Sequence, residues 1–169
     1  PVNDAPTATP AIVNTLEDTS VSVTLTGTDV DGDTLTFTVT TSPTHGSLSG
    51  TPPNLIYTPT PNYSGSDQFS FTANDGSTNS QSDTVSIVVL PVNDAPTAAA
   101  QSVTTDEEVA VAITLVGSDG DGNALTYSVE TLPAHGTLSG VAPDLTYTPA
   151  ANYFGPDAFN FKVNDGVAD

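Results

Sequence analysis

Val21-Ser-Val-Thr-Leu25-Thr-Gly27-Thr-Asp29-Val-Asp31-Gly-Asp33-Thr-Leu35-Thr-Phe37-Thr-Val39 decides the fold. Apolar side chains fall at every second position on both sides of an acidic, Gly-containing break: Val21, Val23 and Leu25 before it, Leu35, Phe37 and Val39 after it. A period of two puts each set on one face of an extended chain, so the runs read as half-buried strands and the break as a turn. Phe69, Phe71 and Ala73 repeat the alternation further on. Thr and Val favour strands, Gly and Pro fall between the runs, and no window would sustain a helix. Strands are expected near 7 to 15, 19 to 27, 34 to 42, 45 to 49, 54 to 58, 68 to 75 and 82 to 90. Seven short strands of this kind make a β-sandwich.

The pattern occurs twice. Pro1-Val-Asn-Asp-Ala-Pro6 returns as Pro91-Val-Asn-Asp-Ala-Pro96, and the same offset of ninety residues matches Val21/Val111, Leu25/Leu115, Asp29/Asp119, Asp31/Asp121, His45/His135, Tyr57/Tyr147, Phe71/Phe161 and Asp75/Asp165. Two tandem modules are expected, residues 1–90 and 91–169, an organisation that points away from a single catalytic cleft and towards the junctions as the place for special chemistry. The second copy repeats the first six strands and stops at Asp169, without a counterpart of Asp83 to Leu90. Its strand over Phe159 to Val163 is therefore expected to show an open edge and to leave this copy the less stable one, or to be covered by a strand from another molecule. Pro1 begins in the middle of a repeat, as in a piece of a longer chain.

Composition narrows the function. Twenty acidic residues face one basic residue, Lys162, for a formal charge of −19. That balance repels nucleic acid and anionic membranes, and self-repulsion makes a divalent cation the natural partner. No stretch approaches the roughly 18 apolar residues that a membrane helix needs. With no cysteine and no methionine in 169 residues, stability must come from strand packing, a neighbouring module or a metal.

The acidic residues are placed for such a metal. In a sandwich of this topology the entering linker (Asn93, Asp94), the turn after the second strand (Asp119, Asp121) and the end of the sixth strand (Asp165) lie at one pole. Glu17 of the first copy is expected to face the linker from the other side. These hard oxygens suit calcium, which takes 6 to 8 of them, better than magnesium with its tight octahedron or zinc with its need for histidine or cysteine. The first copy carries the same half-site in Asn3, Asp4, Asp29, Asp31 and Asp75. Lacking the glutamate of a preceding module, it is expected to bind more weakly. Glu107, the equivalent of Glu17, is expected to be solvated. Five carboxylates around a junction repel one another without metal, since two at 4 Å cost about 4 kcal/mol at an effective dielectric of 20. Calcium would reverse that sign.

Gly117-Ser-Asp119-Gly-Asp121-Gly-Asn123-Ala-Leu125-Thr-Tyr127-Ser-Val129 resembles the cadherin pattern, and Val85 to Pro96 resembles a cadherin last strand with its Asn-Asp linker. The whole chain is most similar to the bacterial cadherin-like repeats of large surface and secreted proteins. They share the Val-Asn-Asp-Ala-Pro linker, the Glu-Asp-Thr before the second strand, the Asp-x-Asp-Gly-Asp turn, the Pro-x-His-Gly turn and the Tyr-Thr-Pro motif. The resemblance implies two seven-stranded Greek-key, Ig-like sandwiches, the second lacking its last strand. It implies calcium at each junction, stiffening a rod of modules, and a non-catalytic, extracellular spacer or adhesion element that meets neighbouring modules and a cell-surface protein or glycan. Pro91 stands where animal cadherins have the first linker aspartate, and their Asp-Arg-Glu motif is missing, which implies about one or two ions per junction rather than three.

Other candidates read more plainly. His45 and His135 sit in Pro-x-His-Gly turns with no serine or cysteine nucleophile motif nearby, which makes them turn residues. Lys162 could suggest an isopeptide crosslink, but it alternates outwards from Phe161 and Val163, and the first copy has Thr72 there. Tyr57, Tyr63, Tyr147, Tyr153 and Phe154 could stack on sugars. They support an alternative reading as a calcium-dependent carbohydrate-binding module, which the lack of any tryptophan weakens.

Overall fold

A computed structural model describes residues 2–169, with Pro1, the first residue of the repeated linker, outside the described residues. The chain forms two compact units, one running to Val92 and one from Asn93 to Asp169. Both are built of β-strands, and none of the described residues is helical.

In the first module the strands are β1 (Thr7–Thr9), β2 (Ala11–Leu16), β3 (Val21–Thr24), β4 (Thr26–Thr28), β5 (Thr36–Thr41), β6 (Gly46–Thr51), β7 (Asn54–Pro59), β8 (Gly65–Asn74) and β9 (Asp83–Leu90). One sheet runs in the order β2-β9-β8-β5 and faces a second in the order β3-β7-β6, with β1 and β4 paired beside them. The alternation read from the sequence sets the core. Phe69, Phe71 and Ala73 of β8 and Val85, Ile87 and Val89 of β9 turn inwards, onto Val23, Leu25, Leu55 and Tyr57. The largest of these are sealed from solvent, and full burial of each such side chain contributes about 1.5–3 kcal/mol.

Two of the expected strands break in two. The run from 7 to 15 divides at Pro10, with β1 pairing antiparallel to β4 and β2 pairing parallel to β9. Proline has no N–H to give to a ladder, so a crossing between sheets there leaves no donor stranded. The run from 19 to 27 divides at Leu25, whose N–H bonds to the Pro53 carbonyl while its side chain fills the core.

The second module contains β10 (Thr97–Ala98), β11 (Val111–Thr114), β12 (Gly117–Ser118), β13 (Thr126–Thr131), β14 (Gly136–Val141), β15 (Asp144–Pro149) and β16 (Asn160–Asn164). β11-β15-β14 repeats the three-stranded sheet, but β16 pairs only with β13. The expectation that this copy repeats six full strands needs correction. Residues 101–106, which correspond to β2, form no strand, because β2 takes its ladder from β9 and no described strand runs along the outer edge of β16. A cleft of about 860 Å³ opens there, lined by residues such as Val103, Phe159 and Phe161.

Candidate metal centre

The turn after β12 is closed by its own side chains. Asp119 Oδ1 accepts the Asn123 N–H at 2.8 Å, and Gly122 takes a φ of 75° that an L side chain rarely adopts. The incoming linker is tied to this turn at two points. The Asp94 N–H donates to Asp121 Oδ2 at 2.8 Å, and the Asn93 amide donates to Asp165 Oδ2 at 2.7 Å. Asp165 holds its own loop, its Oδ1 accepting the Val167 and Ala168 N–H groups at 2.6 Å each. The Ala168 N–H, the Asn93 amide and the Val167 N–H keep its carboxyl below the usual carboxylate range. Asn93 and Asp94 are thus bonded to Asp165 and Asp121, beside the turn that Asp119 closes.

The first module repeats the arrangement. Asp4 N–H donates to Asp31 Oδ2 at 2.8 Å, Asn3 to Asp75 Oδ2 at 2.9 Å, and Asp33 N–H to Asp29 Oδ1 at 3.0 Å. Asp75 also accepts the Ser77 and Thr78 N–H groups, and with the Asn3 bond foremost its carboxyl too is held low. The carboxylates of Asp29, Asp31 and Asp33 each offer an oxygen within 4.8 Å of the others. Asp33 was missed by the sequence reading, although its signal was present in the third acidic residue of an alternating Asp-x-Asp-x-Asp run.

In both turns one oxygen remains without a donor. Asp29 Oδ2 and Asp119 Oδ2 are buried and have no hydrogen-bond partner. A buried carboxylate oxygen left unpaired is costly, and the ordinary compensations are a cation or a donor. The donor set around each is all oxygen, which fits a hard cation such as calcium.

Glu17 lies at the other end of the first module, where the chain leaves it. Only 4% exposed, it accepts the Val92 N–H through Oε1, while its own N–H bonds to the Leu90 carbonyl. Its counterpart Glu107 is exposed.

The remaining candidates are structural in their contacts. His45 stacks flat on Tyr63 with centroids 4.2 Å apart, and His135 on Tyr153 at 4.1 Å. One ring face of each tyrosine is thereby covered. Gly46 follows His45 because a Cβ there would lie 2.5 Å from the Tyr57 ring. Beneath this turn Asp67, 6% exposed, accepts hydrogen bonds from the Thr44, His45 and Gln68 N–H groups and from the Tyr57 hydroxyl. Burial alone would raise its pKa, but these four donors outweigh burial and lower it. Asp67 and its counterpart Asp157 escaped the sequence reading, since nothing in an isolated Asp tells that a tyrosine and a turn will close over it. Lys162 pairs with Asp169, whose hydrogen bond raises its pKa, the opposite of what a nucleophilic amine requires. No helix among the described residues is long and apolar enough to cross a membrane.

Comparison with known proteins follows the same division into two. A family model described as a bacterial Ig domain matches residues 3–88 and again residues 93–169. Integrin beta-like protein A of Dictyostelium discoideum is 34% identical over 99 residues, which are 48% of this chain and 5% of that protein. Among solved structures, the protocadherin gamma B2 extracellular cadherin domains 1–5 align over 96% of this chain and 39% of theirs, at 13% identity and a TM-score of 0.51. An endo-fucoidan hydrolase of glycoside hydrolase family 107 aligns over 97% of this chain and 27% of its own, at 25% identity and a TM-score of 0.43. The chain therefore spans well under two thirds of the length of each of these relatives.

Proposed function

Because the chain belongs to the bacterial Ig domain family, as two tandem Ig-like, cadherin-like modules, we propose that it is a calcium-binding, non-catalytic segment of an extracellular protein, serving as a spacer or adhesion element. The observation that carries this reading is the orphaned, buried Oδ2 of Asp119, repeated at Asp29. One structurally odd carboxylate could be an accident of a turn. The same oxygen left unpaired at the same place in both modules is better explained by a ligand common to both.

Asp119, Asp121 and Asp165, with the side-chain oxygens of Asn93 and Asp94, would hold the ion in the second module; Asp29, Asp31, Asp75, Asn3 and Asp4 would do so in the first. Glu17, kept at the exit of the first module by Leu90 and Val92, is the further carboxylate assigned to the linker. Calcium supplies positive charge where like charges otherwise repel. The protein's part is already arranged, since the linker amides of Asn93 and Asp94 bind the same carboxylates that would face the ion. Loading would therefore stiffen the linker against the turn it touches. Extracellular modules bind calcium in the range of about 10⁻⁴–10⁻³ M, which suits a segment rigid outside the cell and slack in chelator.

Two measurements test this together. Calorimetric titration of the chain with calcium should show binding that weakens by about tenfold or more in Asp119→Ala. Small-angle scattering should show a narrower spread of dimensions in calcium than in chelator. Absence of heat in millimolar calcium, or identical scattering in both conditions, would sink the proposal.

A further inference from the structure

The edge of β16 and residues 101–106 border the same cleft of about 860 Å³, and the first module shows what such a place holds. There β9 lies between β8 and β2, antiparallel to one and parallel to the other. Ile87 at its centre stands opposite Asp67 on one side and Val13 on the other, with Val85 opposite Phe69 and Val89 opposite Thr15. The offset of ninety gives the second module the same flanks in Asp157, Val103, Phe159 and Thr105. Both flanks are already set. Thr105 Oγ1 donates to the Val109 carbonyl at 2.7 Å, as Thr15 does to that of Thr19. Gly155 keeps the φ of Gly65, 141° against 142°, and the Tyr153 hydroxyl binds the Pro156 carbonyl as Tyr63 binds that of Ser66. What differs is exposure: Val103 is 49% exposed, and Phe159 and Phe161 are only half-buried. An unpaired edge beside an apolar floor is the setting for strand addition, in which main-chain bonds give affinity and alternate side chains give register. One rim position also differs in charge. Thr40 meets Ser82, just before β9, with 3.3 Å between the hydroxyl oxygens. The counterpart of Thr40 is Glu130, which is exposed, and the neighbouring Lys162 is bonded to Asp169. The residue that leads an incoming strand thus meets a carboxylate where β9 meets a hydroxyl.

We propose that this cleft is a docking site for an extended segment of another polypeptide, one with apolar β-branched residues at three alternate positions and a basic residue three places before the first of them. The segment lies antiparallel to residues 155–161 and parallel to residues 101–106, in the register of β9, and its apolar side chains close over Phe159 and Phe161. Pairing draws residues 101–106 into a strand, as β9 does for β2. A slip of one residue would turn the apolar set to solvent, so the register is fixed by the floor. Glu130 attracts a basic leading residue and repels an acidic one. The site uses none of the residues assigned to calcium, and it stands or falls apart from that reading.

Hydrogen exchange followed by NMR on the intact, isotope-labelled chain in chelator tests this, with a synthetic peptide of the sequence Ser82 to Leu90 as the probe. Excess peptide should slow exchange by about tenfold or more both within residues 157–161 and within residues 101–105, and leave Phe71 of the first module unmoved. The same peptide carrying Ile87→Asp should protect neither stretch. Ser82→Lys in the peptide should tighten binding roughly two- to fivefold, and Glu130→Gln in the chain should abolish that gain. Unaltered Ile113 and Leu145 resonances without peptide confirm that the Glu130→Gln chain is folded. Absence of protection at millimolar peptide overturns the proposal, as does equal protection by the Ile87→Asp peptide or a lysine gain that survives Glu130→Gln. Protection confined to residues 157–161 overturns the two-sided pairing. Protection that appears without peptide and grows with chain concentration gives the cleft to a second copy and overturns it too.

Discussion

Phe71 and Phe161 hold the same place in the repeat, yet the first is sealed from solvent and the second is half-buried. The same holds for Phe69 against Phe159 and Tyr57 against Tyr147. Other core positions keep their burial in both modules: Val23, Leu25 and Leu55 are buried, and so are Ile113, Leu115 and Leu145. The contrast is clearest in what lies against β8 and β16. In the first module Val85, Ile87 and Val89 of β9 cover the aromatic residues, and β9 in turn supports β2. In the second, no described strand takes that place. One strand therefore does two things at once: it shields a row of aromatic side chains, and it allows the segment beyond it to be a strand at all.

Substitutions can break or sharpen this contrast. The largest effect is expected from Phe71→Ala, which should cost the first module about 3–5 kcal/mol in a urea titration followed residue by residue. Phe161→Ala should cost the second module less than half as much, because less area is buried there to lose; equal losses would mean that the cover by β9 is not what distinguishes them.

Next come Asp67→Asn and Asp157→Asn. Both carboxylates accept the same four kinds of donor, but Asp67 is buried and Asp157 only half so. Removing the charge should cost about 1–3 kcal/mol at Asp67 and less at Asp157. The pH dependence follows from the lowered pKa of Asp67. Its stabilisation is complete above the unfolded value of about 3.9 and is lost as pH falls through the lower folded value, so acid should unfold the parent more steeply than Asp67→Asn. Parallel acid profiles would remove Asp67 from the account.

The smallest effect, and the control, is His45→Ala beside His135→Ala. The two stacks are nearly the same, at 4.2 and 4.1 Å, so each should cost about 0.5–1.5 kcal/mol. A clear inequality there would show that the modules differ by more than one strand.

Much of this was legible in the residues, because period two needs only the sequence. Val21 to Val39 gave two strands and the turn between them, and the repeat at Val111 to Val129 gave the second module. What the letters could not carry was dependence on a distant partner. Pro10 splits a strand only because β4 and β9 lie in different sheets. Residues 101–106 keep the strand-like Val103 and Thr104, and still form no strand. At the candidate site the linker Asn-Asp pair and the Asp-x-Asp turns could be read as one cluster, since each residue type announces an oxygen ligand. The buried state of Asp29 Oδ2 and Asp119 Oδ2 could not, because burial of a single oxygen depends on how the whole turn closes.

The pairing of β2 with β9 has a mechanical consequence. These strands run parallel through six paired positions, from Ala11 beside Val85 to Leu16 beside Leu90. A pull on the chain through β2 from its start and through β9 from its end drags the two neighbours in opposite directions along their length. The ladder is then loaded in shear, with its hydrogen bonds sharing the force rather than opening one after another. Glu17, fastened to Leu90 and Val92 just past the last pair, acts as a stop at the end of the run.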